Sequence, residues 1–144
     1  MSSYFLPGKV ERQNLLFLID TGCNTNLLSK KVFDRMPRRV KMQLEENDQY
    51  GLMVDGSKLQ FYGLIRLSGK IRDVPIKESF IVSQISKDAI LGMPFLISHN
   101  CNIEFGRPVI SLEDRKHTCM DKHGRLMVSK VYTWKKVTIP LYQK

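Results

Sequence analysis

The sequence predicts an all-β domain. Its apolar residues come in short runs, β-branched residues are frequent within those runs, and turn-forming residues separate them at close intervals. At 144 residues the chain suits one domain with a modest core and a tail. An apolar content of 42% is ordinary for a globular protein and excludes disorder throughout.

Taken in order, Asn14 to Ile19 reads as a buried strand. Ser29-Lys30-Lys31-Val32-Phe33 opens a short helix with Ser29 as its N-cap. Pro37 stops it, because the residue before a proline is steered away from helical backbone. Basic Arg35, Arg38, Arg39 and Lys41 read as an exposed loop. Gln49 to Met53 and Lys58 to Tyr62 are strand-like and flank Val54-Asp55-Gly56-Ser57. Asp-Gly between two such runs marks a hairpin, since Gly56 tolerates positive φ. Leu64 to Ser68 and Ile76 to Val82 are further strands, and Ala89-Ile90-Leu91 is another, ended by Gly92. Met93 to His99 fits a short helix with Pro94 in its first turn. Cys101 to Phe105 and Pro108 to Leu112 form a closing hairpin around Gly106. There is no internal repeat and no low-complexity stretch.

Composition narrows the function classes. The longest apolar run, Leu15 to Ile19, is far short of the roughly 18 residues that span a bilayer. Met1-Ser2-Ser3-Tyr4 lacks the basic-then-apolar pattern of a secretory signal. Three cysteines, Cys23, Cys101 and Cys119, make an odd count that favours free thiols in a reducing compartment. The net charge of +9 is uneven: residues 114–144 hold 8 Lys and Arg against 2 Asp and Glu. Such a tail can attract nucleic acid or an acidic partner, although a solvated basic end is the plainer reading.

The chemistry concentrates at Leu15-Leu16-Phe17-Leu18-Ile19-Asp20-Thr21-Gly22. An apolar strand that runs straight into a carboxylate needs a reason, because ionised carboxylates are almost never left unpaired in a core. Two carboxylates sharing one proton can hydrolyse a peptide, one as base on a water and the other as acid toward the carbonyl. The chain has only one Asp-Thr-Gly; Asp55-Gly56 lacks the intervening hydroxyl residue and reads as a hairpin tip. A two-fold axis that brings two copies of Asp20 together solves the problem.

At these residues the chain resembles the retropepsin family, the dimeric aspartic proteases of retroviruses and LTR retrotransposons. Three landmarks occur in the family's order: the turn Leu18-Ile19-Asp20-Thr21-Gly22, the hairpin around Val54-Asp55-Gly56-Ser57 in the place of the flap, and Ala89-Ile90-Leu91-Gly92-Met93-Pro94-Phe95-Leu96. The wording Ile-Leu-Gly-Met-x-Phe-Leu resembles that of gypsy-like elements. The resemblance covers about residues 10–113. It implies a retropepsin-like closed β-barrel, with one short helix near the C-terminal end, assembled as a homodimer. It divides the chain into a protease domain over 1–113 and a basic extension, or linker to a next polyprotein segment, over 114–144.

The resemblance also implies roles. Asp20 from each subunit forms the catalytic dyad. Thr21 hydrogen-bonds to the partner's turn, and Gly22 lets a substrate backbone approach. Gly22, Asn24, Val54, Asp55, Gly56 and Ser57 contact an extended peptide, with Val54 to Ser57 closing over it. Ile90, Leu91 and Gly92 pack beneath the turn. No metal and no cofactor is called for. Because the dyad titrates as a pair, activity is expected to peak on the acidic side of neutrality. Two positions depart from the family's pattern. Cys23 stands where Ala is usual, and Met93 where retroviral members often carry an Arg that supports the dimer by an ion pair.

His99, Cys101, His117, Cys119 and His123 are all zinc-ligand types, yet no Cys-x-x-Cys pair or zinc-knuckle spacing occurs, so a structural reading is preferred. Tyr132, Trp134 and Tyr142 interleave with Lys130, Lys135, Lys136 and Lys144, a pattern that can bind single-stranded nucleic acid or form a further strand or link. The expected function is thus an aspartic endopeptidase cutting a Gag–Pol-type polyprotein. The expected location is cytoplasmic, within a virus-like particle or precursor, without membrane attachment. The alternatives are a silent dimerisation or peptide-binding module, and weak nucleic-acid binding through the basic tail.

Overall fold

The structure, a computed structural model, describes residues 3–46, 50–52, 56–104 and 106–127. The apolar run at Leu15 lies in the second strand. Strand β1 (Tyr4–Val10) pairs antiparallel with β2 (Gln13–Ile19), and Leu15 and Phe17 turn inward at 4% and 0% exposure. Leu16 and Leu18 sit on the outer side and are only half-buried, because successive side chains of a strand face opposite ways.

After the turn that follows β2 come β3 (Leu27–Ser29), α1 (Lys30–Asp34), α2 (Arg38–Lys41) and β4 (Glu45–Glu46). The cap expected at Ser29 is present: its Oγ accepts from Lys31 N–H at 3.1 Å. The basic stretch read as a loop instead contains α2, a single turn whose Val40 is buried while Arg38 and Arg39 face solvent. Three short helices stand among the described residues: the two expected after Ser29 and at Met93, and α2, which was not.

A hairpin of β5 (Tyr50–Leu52) and β6 (Lys58–Ile71) is followed by β7 (Val74–Ser83), which runs antiparallel to β6 over its length. The two strands anticipated on either side of Gly63 are one strand, interrupted by a bulge between Phe61 and Gly63. Then come β8 (Ala89–Leu91), α3 (Met93–Ser98), and a small sheet of β9 (Asn102–Glu104), β10 (Val109–Leu112) and β11 (Arg115–Thr118). Pro94 lies in the first turn of α3, as expected.

Six strands close into a barrel in the order β1-β2-β8-β3-β7-β6, and β6 returns to β1. Closure depends on β1 pairing on both edges. Gly8 permits this, because a Cβ there would lie 2.5 Å from Lys70 O and 2.7 Å from the Phe17 ring. Inside sit Phe17, Phe80, Phe95, Leu6, Leu28 and Ile65, each nearly or wholly buried. Each such side chain contributes on the order of 1.5–3 kcal/mol of apolar burial. Residues past 113 are joined to this body: β11 pairs with β10, and Met120 bridges to Phe5. Residues 128–144, with Tyr132, Trp134 and Tyr142, lie outside the described residues. Among the described residues no helix is long and apolar enough to cross a membrane.

Candidate active site

The end of β2 lies beside the end of β8 in parallel register, with Ile19 opposite Leu91. Asp20 N–H continues that ladder by donating to Leu91 O at 3.1 Å. The chain then turns back on itself. Cys23 N–H donates to Asp20 O at 3.2 Å, and Gly22 N–H donates to Asp20 Oδ1 at 2.9 Å. A carboxylate that accepts from a backbone N–H two residues on stabilises just such a turn. Asp20 is half-buried, while Thr21 and Gly22 are exposed. One carboxylate oxygen thus holds the turn and the acid is presented at the surface of the barrel.

The underside of the turn rests on the junction between β8 and α3. Met93 N–H donates to Cys23 O at 2.8 Å. Gly92 comes so close that a Cβ would lie 2.3 Å from Thr25 O and 2.6 Å from Cys23 O. Ile90 and Leu91 lie alongside Leu18 and Ile19 of β2. The Cys23 thiol is half-buried and donates to Thr25 O at 3.1 Å.

Of the other residues expected at the site, Asn24 is exposed just beyond the turn. Gly56 adopts φ +87° and is exposed, as is Ser57; both lie at the tip of the β5–β6 hairpin. Val54 and Asp55 lie outside the described residues. The structure does not gather His99, Cys101, His117, Cys119 and His123 into a metal-binding group. Cys119 is fully buried and Cys101 half-buried, and burial pushes each thiol up to about 11, with Glu113 adding to the effect at Cys101.

Beside the turn lies a groove of about 460 Å³, lined by Thr21, Met93, Leu96, Ile97, Cys101 and Ile103 among others. Ile97 is 70% exposed there.

Two residues that tie the site together were not legible as such. Asn26, 3% exposed, accepts from Gly92 N–H at 3.0 Å. Asp88 accepts from Leu16 N–H at 2.9 Å through its side chain and from Ser29 N–H at 2.9 Å through its carbonyl. The only local signal at Asn26 is an amide side chain abutting the apolar Leu27-Leu28 pair.

No protein-family model matches the chain. Solved structures do match in fold. The retroviral protease-like domain of Ddi1 from Leishmania major superposes with a TM-score of 0.69 at 14% identity, covering 85% of this chain and 97% of that one. EIAV protease in complex with the inhibitor HBY-793 gives 0.52 at 18% identity, covering 69% and 90%. A retropepsin-like aspartic protease from Rickettsia conorii gives 0.53 at 19% identity, covering 72% and 85%. In fold, this chain is similar to retropepsin-like aspartic proteases.

Proposed function

We propose that the chain is an aspartic endopeptidase, active as a homodimer, with one Asp20 from each copy forming the catalytic pair. The observation that carries this reading is the presentation of Asp20: a carboxylate held by Gly22 N–H at the exposed end of a core strand, in a chain with a single Asp-Thr-Gly. One carboxylate takes a proton from a bound water while the other, protonated, donates to the scissile carbonyl. Gly22, which bears no side chain, lets the substrate backbone lie against the dyad. Thr21 reaches across to the partner's turn. The hairpin tip at Val54 to Ser57 closes over an extended peptide, whose backbone Gly22, Asn24 and the tip bind. Ile90, Leu91 and Gly92 support the turn from below.

The groove beside Thr21, with exposed Ile97, supports the two-chain reading, because a second copy would cover this apolar surface. Retention of the three landmarks of LTR-element proteases supports a Gag–Pol-type polyprotein as substrate and a precursor or virus-like particle as the setting. On this proposal residues 1–113 are the protease domain. Residues 114–144 are a basic extension whose first part packs back through β11 and the Met120–Phe5 bridge, and which supplies the weak nucleic-acid contact.

The test is cleavage of a Gag-like precursor or peptide library by the full chain across a concentration series, beside Asp20→Asn, with oligomeric state read by sedimentation. Cleavage that depends on Asp20 and rises with the dimer fraction is expected. A folded dimer that cuts nothing would instead indicate a binding module.

A further inference from the structure

We propose that Asn26 is a positioning residue that holds the catalytic turn in register with the strand end beneath it. The proposal rests on the reading of Asp20 given above. The turn, the β8–α3 junction and β7 are three separate stretches of chain that meet at this one side chain. Asn26 Oδ1 accepts from Gly92 N–H at 3.0 Å, and Asn26 Nδ2 donates to Ser79 O at 3.3 Å. Its own carbonyl accepts from Ile81 N–H at 2.8 Å. The partners fix the orientation of the amide, since an N–H can only donate and a carbonyl can only accept.

The junction below the turn explains why a side chain is needed there. Leu91 O accepts from Asp20 N–H, and Met93 N–H donates to Cys23 O. Between these two backbone links stands Gly92, whose N–H finds its acceptor in the Asn26 side chain. Gly92 is also the residue that approaches Cys23 and Thr25 too closely for any Cβ. The three links therefore run consecutively from one side of the turn to the other, and Asn26 supplies the middle one. The site is almost sealed from water, with Asn26 at 3% exposure, so a lost acceptor would not be replaced by solvent.

Ser79 and Ile81 belong to β7, which pairs with both β3 and β6 in the barrel wall. Through Asn26 the turn is thus referenced to the rigid wall as well as to β8. A carboxylate that must meet its counterpart on a second chain gains from such a reference, because small displacements of a reacting group are costly in rate.

The experiment uses the full chain, with kcat and KM measured on one peptide substrate for wild type, Asn26→Leu and Asn26→Asp, and Asp20→Asn as the control for the reaction. Asn26→Leu, which keeps the branched shape and loses both bonds, is expected to lower kcat about 100-fold while KM changes by no more than about three-fold. Asn26→Asp retains an acceptor for Gly92 N–H and is expected to recover about ten-fold in kcat, whether or not its melting temperature recovers. Unchanged kcat in a folded Asn26→Leu dimer overturns the proposal. So does a kcat that simply follows melting temperature across the two variants, or a failure of both variants to fold.

If wild type shows no Asp20-dependent cleavage, the proposed function fails, and amide exchange decides the role of Asn26 separately. Faster exchange at Asp20, Gly92 and Met93 in Asn26→Leu, with Ile65 and Phe80 unchanged, supports it. Uniform or absent change overturns it.

Discussion

The imidazole of His99 lies with Nε2 2.9 Å from Glu78 Oε2, while its Nδ1 meets Glu113 Oε2. The ring also stacks on Phe95 at 4.3 Å between centroids. One side chain at the end of α3 therefore joins β7 to the turn between β10 and β11, where Glu113 N–H donates back to His99 O at 3.1 Å. Of the zinc-ligand types near the C-terminal end, His99 is the one held in this cluster of carboxylates and Phe95.

Removing that ring takes a partner from both carboxylates and leaves Glu78 Oε2 with the Ser98 hydroxyl at 3.4 Å. His99→Leu is expected to destabilise the fold by about 2 kcal/mol, in the range of hydrogen bonds to charged groups. Urea unfolding of His99→Leu, Glu78→Gln and the double variant checks this. The double variant should be less destabilised than the sum of the two, because Glu78→Gln removes one of the two carboxylates that lost the ring.

Gly92→Ala puts a methyl against two backbone carbonyls that cannot step aside, Thr25 O and Cys23 O. The expected cost is about 1–3 kcal/mol, as for other overpacked interiors. The damage should fall on the turn, so cleavage should drop further than the melting temperature implies. Parallel thermal melts and activity assays would reveal whether it does.

Ile97 is 70% exposed beside Thr21. Ile97→Glu should alter the stability of the single chain by less than about 0.5 kcal/mol, as for other surface changes. If a second copy covers the groove, the same substitution should weaken self-association by at least about ten-fold, since a charge would be buried unpaired at the contact. Sedimentation over a concentration series reads both states. An unchanged association constant would place the contact elsewhere.

Burial holds His117 below the ordinary imidazole value of 6.5; Asp73 pulls the other way, and Arg72 and Arg115 reinforce the lowering. The unfolded chain therefore takes up this proton first as the medium is acidified. Stability contributed at neutral pH is lost as pH falls through the ordinary imidazole range, and the loss levels off below the folded value. His117→Gln should flatten this part of the pH profile, as judged by urea midpoints between pH 5 and 7.5. Asp121 acts at lower pH. Backbone N–H groups of Arg125 and His123 hold its carboxyl below the usual 3.8, so its contribution is present above that value and is lost as pH falls through the folded one.

Thiol reactivity should separate the cysteines. Reaction requires the thiolate, and burial pushes Cys101 and Cys119 up to about 11. Cys23 is half-exposed beside the turn. Iodoacetamide at neutral pH should label Cys23 first and Cys119 last, as followed by peptide mapping. Early labelling of Cys119 would mean that the small sheet opens from the barrel.

Much of this architecture was legible in short stretches. The run from Leu15 into Asp20, the Ser29 cap, the Ala89–Leu91 strand and the Pro94 helix each carry their signal within a few residues, because capping, alternation and proline geometry act locally. β1 was not legible, since Pro7 and Gly8 interrupt its apolar run and its role is to pair on both edges. Strand β3 is only three residues long, and its Leu27-Leu28-Ser29 run is buried throughout rather than alternating, so it showed no period. β11 lay in a basic stretch that reads as a tail, yet it completes the small sheet.

The sequence by itself determined the candidate acid, the turn that carries it, and the mostly β character of the domain. These follow from residue types at fixed short spacing. Only the tertiary structure decided what supports the acid. Gly92 and Asn26 are 66 residues apart, and Leu16 and Asp88 are 72 apart. Closure of the barrel brings each pair within hydrogen-bonding distance. Such contacts depend on the path of the whole chain, and no local pattern of apolar and polar residues encodes them.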